Sequence, residues 1–308
     1  MAESEQILRA PPAAAAVGET PRRAVELAPI TDADVPAVAD FFHVHLNDRV
    51  SLATWVAAMS APWRAEAPNR GFMLRDGQRI VGAQLAFYAE RTIAGRTERF
   101  CNLAALCVLP DFRIHSVRLL MALLAQDGYH FTDLSPTGNV IPLNTRLKFR
   151  SLDTSAALIP NLPWPTVPNR TKISADPDVI ASTLTGAELE LYRDHAQSVA
   201  ARHLVLIRGG DSCYVMFREV RAGTLPVFAT ILHVSNPELF RAATSRLARY
   251  LLVHHRLLAT LAELRTMQYR PRLSVMLRDP LPPKMYRSAT LDPAQVDDLY
   301  SELACMPW

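Results

Sequence analysis

The chain has few cysteines, no long apolar run and little net charge, and each shortage removes a class of explanation. Its four cysteines, Cys101, Cys107, Cys213 and Cys305, show no C-x-x-C spacing, so they are expected to be reduced thiols in the core of a cytoplasmic protein. No apolar stretch approaches the ~20 residues that span a bilayer. The opening Met-Ala-Glu-Ser-Glu also lacks the basic and apolar regions of a signal peptide, so no membrane partner is expected. The formal charge is only +3, from 33 Lys and Arg against 30 Asp and Glu. That balance argues against nucleic acid, because a phosphate-tracking surface needs clustered cations. His43 with His45, and His254 with His255, are spaced so that the members of each pair point to different helix faces. A zinc helix needs an i, i+4 pair, and no metal is expected. Neither a Ser-His-Asp elbow, a Walker loop nor a dinucleotide glycine pattern is present.

What is there is ordinary globular material: 308 residues, 49% hydrophobic and 20% charged, enough for one large or two modest domains. Residues 1–23, with Pro-Pro-Ala-Ala-Ala-Ala, offer too little apolar surface to offset ordering and are expected to be a disordered leader. A short strand is predicted at 24–31, then Asp32 as a cap before a helix over 35–46, and a second helix over 51–59. Asp76-Gly77 between apolar runs predicts a hairpin joining strands at 72–74 and 80–90. A polar connection at 91–99 leads to a strand over 100–109. A helix over 117–126, a strand at 129–134, a helical segment at 136–147 and a strand near 149–153 follow. Four prolines within 160–168 mark a stiff linker over 159–170 and a domain boundary.

The second half then echoes the first at an offset of roughly 130 residues. The apolar runs at 203–210, 213–220 and 225–234 parallel those at 72–77, 81–90 and 100–108. The segments 239–253 and 258–264 parallel the later helix and strand. A final strand at 284–288 and a helix over 292–303 capped at Asp292 close the chain.

The stretch that carries most chemical information is Val108-Leu-Pro-Asp-Phe-Arg-Ile-His-Ser-Val-Arg-Leu-Leu120, a strand running through a basic turn into an amphipathic helix. Unpaired amides at a helix start favour anions. The stretch resembles the acetyl-CoA loop of the GNAT (GCN5-related N-acetyltransferase) superfamily, whose pattern is valine, proline, aromatic, arginine and then R/Q-x-x-G-x-G/A before a leucine-rich helix. Val108, Pro110, Phe112, Arg113, Leu119 and Leu120 match; Ser116 and Arg118 stand where the two glycines belong. The element order over 24–158 is also that of the superfamily.

The resemblance implies an α/β (α+β) fold with a mixed, mostly antiparallel sheet flanked by helices, repeated in a second GNAT-like half. On this reading 24–158 is an acyl-CoA-binding domain and 171–308 a second, degenerate one. Strands 100–109 and 129–134 would splay apart to hold a pantetheine arm. Acetyl-CoA or another acyl-CoA would be the co-substrate, held by Leu106 and Val108, by Arg113, Ile114, His115, Ser116, Val117 and Arg118, and by Asn139. Counting back from Leu147-Lys-Phe149, Asn144 occupies the slot of the family's acidic tyrosine. A base for the incoming amine is sought among Glu90, His130 and Asp133, with His115 a further candidate. In the second half Val234-Ser-Asn-Pro-Glu238 has neither arginine nor glycine, and Glu238 would repel pyrophosphate. That half is expected to bind no CoA and to close one side of the cleft.

The reading is an acyltransferase acting on an amine or hydroxyl of a small molecule or sugar. Two alternatives stand beside it: a non-catalytic scaffold with a decayed loop, consistent with Ser116, Arg118, Asn144 and Lys148, and an aminoacyl-tRNA-dependent transferase, which needs a strongly basic surface. Self-association into a homodimer through the second half is compatible with all three.

Overall fold

Local chemistry sets the first elements. In the computed structural model, which describes residues 24–60, 62–63, 65–163, 171–222, 225–278 and 283–307, β1 (Glu26–Pro29) leads through Ile30 to Thr31. Thr31 rather than Asp32 is the cap: its amide donates to the Asp34 carboxylate at 2.9 Å in a capping box. A short 3₁₀ turn then feeds α1 (Val35–His45), and Ser51 caps α2 (Leu52–Met59) by accepting the Thr54 amide. The expected leader, 1–23, lies outside the described residues.

The hairpin predicted at Asp76-Gly77 joins β2 (Gly71–Asp76) to β3 (Arg79–Ile93). β3 and β4 (Arg96–Val108) are longer than the sequence suggests, because 91–99 is paired strand, not loop. Ala94 and Gly95, with φ of 50° and 78°, make the two-residue turn that matches strand twist. Then come α3 (Ser116–Leu124), β5 (His130–Asp133), α4 (Ile141–Arg146), β6 (Arg150–Ser151) and β7 (Ala156–Pro160). The same order returns as β8 (Lys172–Ser174), α5 (Pro177–Thr183), α6 (Gly186–His195), β9 (Ala201–Arg208), β10 (Asp211–Ala222), β11 (Leu225–Val234), α7 (Pro237–His255), β12 (Ala259–Glu263), α8 (Leu264–Met267), β13 (Val275–Leu277) and β14 (Met285–Arg287).

Two seven-stranded sheets result, ordered β1-β2-β3-β4-β5-β14-β6 and β8-β9-β10-β11-β12-β7-β13. They agree position by position and in direction: each has one parallel pair, β4 with β5 and β11 with β12, and is otherwise antiparallel. This is a mixed fold of two mostly antiparallel sheets flanked by helices. The seventh strands, however, are exchanged. β7, which follows the first sheet's strands in sequence, pairs with β12 and β13 of the second, while β14 inserts between β5 and β6 of the first. The division expected at 158 therefore falls inside a strand of the second sheet. The segment foreseen as a linker begins with the last two residues of β7, and 164–170 lie outside the described residues.

A shared core sits between the sheets, where Leu134, Leu152 and Tyr286 meet Val205, Tyr214 and Met216. The expected helix over 292–303 is not formed. Asp292 caps only a 3₁₀ turn, and the chain then threads between the sheets, burying Val296 and Leu299 before, and Leu303 within, a single turn, α9 (Glu302–Cys305). Burial of that apolar series against both sheets outweighs the local preference for helix.

Candidate functional site

β4 and β5 pair over only three residues, Phe100 with His130 to Asn102 with Thr132, and then diverge. Beyond this point β4 is long and β5 is ending, so the β4 edge that faced β5 is left without a strand partner. The divergence is sharpened by a bulge: Leu85 faces Ala104 and Gln84 faces Leu106, which leaves Ala105 as the extra residue. Ala105 has φ of 35°, a left-handed conformation that costs a residue with a Cβ. The wedge is a cavity of about 370 Å³ bounded by Gln84, Ala104, Ala105 and Leu106 on one side and by Asp133 and Ser135 on the other. Leu46 and Asn47 form its rim.

Asp133 lines its inner wall, and a second buried carboxyl group, Glu302, lies behind Ser135. Asp133, at the end of β5, accepts a hydrogen bond from Asn144 Nδ2 at 2.7 Å and another from the Ser135 amide. Burial raises its pKa to about 6, against which these two donors act. Glu302, on α9, is fully buried, and the Ser135 hydroxyl donates to its Oε1 at 2.9 Å. Burial first, and the charge of Asp133 second, push Glu302 up to about 7. The Glu302 amide donates to Asn102 Oδ1 at 2.9 Å, and Asn102 Nδ2 donates to Thr132 Oγ1 at 3.1 Å, which fixes the C-terminal turn to the strands that form the wedge. Gln84 Oε1, Asn144 Oδ1 and Glu302 Oε2 are buried and have no hydrogen-bond partner among the described residues. Unpaired polar atoms and displaced carboxyl pKa values beside an open cleft are features of a binding or catalytic site.

Of the residues foreseen from sequence, Leu106 and Asp133 come together in this wedge. Asn144 occupies the expected slot, but as a buried partner of Asp133. His130 and Glu90 do not join them. His130 is three residues upstream of Asp133, roughly 10 Å along the strand, and its Nε2 faces Glu98 at 2.8 Å. Glu90 lies 3.8 Å from Arg99 and borders a separate surface hollow with Asp32 and Arg70. Val108 pairs with Gly82 and closes β4 against the core. Asn139 is exposed in the turn before α4 and caps nothing, the cap position being Val140. Glu302 escaped the sequence reading because nothing near it marks it; only the threading of the C-terminal segment brings it to the wedge.

The expected loop of open amides has a different form. Residues Pro110–His115 wind as a 3₁₀ turn directly into α3, with the Phe112 amide bonded to the Leu109 carbonyl at 2.9 Å and the Ser116 amide to that of Arg113. Serine and arginine at the two glycine positions make left-handed backbone costly, so the chain stays right-handed; Ser116 has φ of −57° and ψ of −37°. Arg113 and Ile114 are exposed, and His115 and Ser116 are half-buried. Val117 is in the first turn of α3, and Arg118 turns away to donate to the Val25 carbonyl at 2.9 Å.

At the matching strand end of the second sheet the carboxylate belongs to an ion-pair cluster. Glu263 closes β12, and Arg265 and Lys284 both engage it at 2.5 Å. Asp298 completes the cluster through the same two cations. Burial opposes the charge on Asp298, but Lys284 and Arg265 hold its carboxyl below the usual range. No group of three or more His, Cys, Asp or Glu side chains able to hold a metal ion occurs among the described residues. None of their helices is long and apolar enough to cross a membrane.

No protein-family model and no curated protein sequence matches the chain. Solved structures do. A GCN5-related N-acetyltransferase from Anabaena variabilis is similar over 86% of this chain and 72% of its own, with a TM-score of 0.56 at 11% identity. A second, from Kribbella flavida, aligns over 88% and 72% with a TM-score of 0.55 at 13% identity. The glucosamine N-acetyltransferase region of a fungal multi-domain β-N-acetylglucosaminidase covers 86% of this chain and 38% of that one, with a TM-score of 0.54 at 12% identity. The fold is that of the GCN5-related N-acetyltransferases.

Proposed function

We propose that the protein is an acyltransferase that moves an acyl group, acetyl in the first instance, from coenzyme A to an amine or hydroxyl of a small molecule or amino sugar. The observation that carries this reading is the wedge between β4 and β5, with a strained bulge on one wall, Asp133 of raised pKa on the other and a second raised carboxyl, Glu302, behind it. The unpaired edge of β4 offers amides and carbonyls to a pantetheine arm, as an added strand would bond. An amide near Leu106 would polarise the thioester carbonyl.

An ammonium has no lone pair to attack with, so it must lose a proton first. Asp133, with a pKa of about 6, is ionised at neutral pH and is the base this reading assigns; Glu302, raised to about 7, sits behind it, held by the Ser135 hydroxyl. The amine nitrogen then bonds to the acyl carbon, the carbon–sulfur bond breaks, and the sulfur leaves as a thiolate, which needs little help from an acid. Asn144 in place of a tyrosine is compatible with that chemistry. Arg113 is assigned to the pyrophosphate, beside His115. Amides from Ile114 to Val117 become available only if the 3₁₀ turn unwinds, and Asn139 is assigned an outer contact. The unit over 24–158 supplies the donor site, and the unit over 171–308 supplies Glu302.

The wound loop and the engagement of Arg118 by Val25 favour a second reading, a binding protein that has lost its donor. Calorimetric titration of acetyl-CoA and longer acyl-CoAs, followed by thiol release with a panel of amines and amino sugars, separates the two. Binding weakened by Arg113→Ala, with turnover lost in Asp133→Asn, is the expected result. No binding of any CoA ester at millimolar concentration overturns the enzyme and leaves the scaffold.

A further inference from the structure

A second cavity, also of about 370 Å³, lies on the outer face of the second sheet between α7, the segment that follows α8, and β7. Three arginines line it: Arg241 from α7, and Arg270 and Arg272 from the following segment. No Asp or Glu is among its lining residues, and none of the three arginines forms a salt bridge among the described residues. All three are exposed, and guanidinium stays charged at every physiological pH. Three like charges around one hollow repel one another, so the arrangement lacks a counter-charge that a ligand would bring.

The walls are shaped as well as charged. Tyr269 is fixed by its hydroxyl, 2.5 Å from Thr244 Oγ1, and by its ring against Phe240. The Arg241 guanidinium lies 5.9 Å from the centre of that ring, which orients it. Ile159 and Leu273 add apolar surface for a non-ionic body. The volume is in the range of small-ligand pockets, about 300–1,000 Å³.

We propose that this cavity is a binding site for a small organic phosphate carrying at least two negative charges. Guanidinium forks pair two N–H groups with two phosphate oxygens, and a triad of them matches a diphosphate or bisphosphate better than a single carboxylate. The site is separate from the wedge and does not depend on the acyltransferase reading.

The test is calorimetric titration of pyrophosphate, ADP and citrate into the full chain, its Arg113→Ala variant and an Arg270→Ala, Arg272→Ala double variant. Circular dichroism confirms that each variant is folded. Pyrophosphate or ADP is expected to bind with affinity reduced by about tenfold or more in the double variant, and this Arg270- and Arg272-dependent binding is expected to persist in Arg113→Ala, where only binding contributed by the turn before α3 is lost. Three results overturn the proposal: no binding at millimolar concentration, binding insensitive to the double variant, or citrate bound as tightly as ADP. An RNA oligonucleotide that binds far tighter than ADP and is lost in the same variant would also overturn it, in favour of a polynucleotide surface.

Discussion

The two sheets end their parallel strand pairs with a carboxylate, and the two carboxylates live differently. Asp133, at the end of β5, faces the Asn144 amide and an open wedge. Glu263, at the end of β12, is held between Arg265 and Lys284, with Asp298 closing the cluster. The same strand order thus yields one acid whose pKa burial raises to about 6 and one site closed by ion pairs. Charged partners and solvent access, not topology, separate a site open to a ligand from one that ties the molecule together.

The largest effect should come from opening the closed end. Lys284→Met leaves Glu263 and Asp298 buried with a single cation, and is expected to cost about 3–5 kcal/mol in a denaturant titration. A loss below about 1 kcal/mol would put the cluster among weak surface pairs.

Next is pH. Asp133 and Glu302 have folded values near 6 and 7, above their ordinary 3.8 and 4.5. Between those limits the folded state keeps protons that the unfolded state has released. Their contribution is complete below about pH 4 and is lost as pH rises through 6 and 7, by up to about 3 kcal/mol for Glu302. Asp298 has the opposite sign: its pairing stabilises above the usual carboxylate range and is lost on acidification. Glu302→Gln should therefore narrow the gap in Tm between pH 5 and pH 8, and an unchanged gap would mean that Glu302 is not the titrating group.

Asp133→Asn should lower acyl transfer about a hundredfold or more, on the scale of general-base loss, while leaving the Tm at neutral pH equal or higher. Full activity in this variant would move the base elsewhere. The smallest effect belongs to the bulge: Ala105→Gly relieves a left-handed alanine and should stabilise by at most about 1 kcal/mol. A clear loss of stability would mean that the Ala105 methyl packs rather than strains.

Much of this was legible in the sequence where the signal is local. Ser51 before an apolar helix, Asp76-Gly77 between alternating runs, and the repeat of apolar segments each correspond to an element in place. Asp133 could be named because a carboxylate at a strand end beside a predicted splay is a short-range pattern. Glu302 could not, since it meets Ser135 across 167 residues of chain and looks in sequence like any helix-start acid. The exchange of β7 and β14 was equally hidden: both are short apolar strands whose composition is the same whichever sheet they join. The winding of Pro110–His115 follows from the missing glycines, but its run straight into α3 left no mark in the sequence.

The exchange of strands also has a consequence for how the molecule is made. β6 joins the first sheet only through β14, by way of pairs such as Ser151 with Met285. On the ribosome, at about 5–20 residues per second, the first sheet waits for nearly all of the remaining chain before its last edge can close. The second sheet, built from β7 to β13, has all its strands before β14 is made, so the first sheet, begun earlier, is the one finished last.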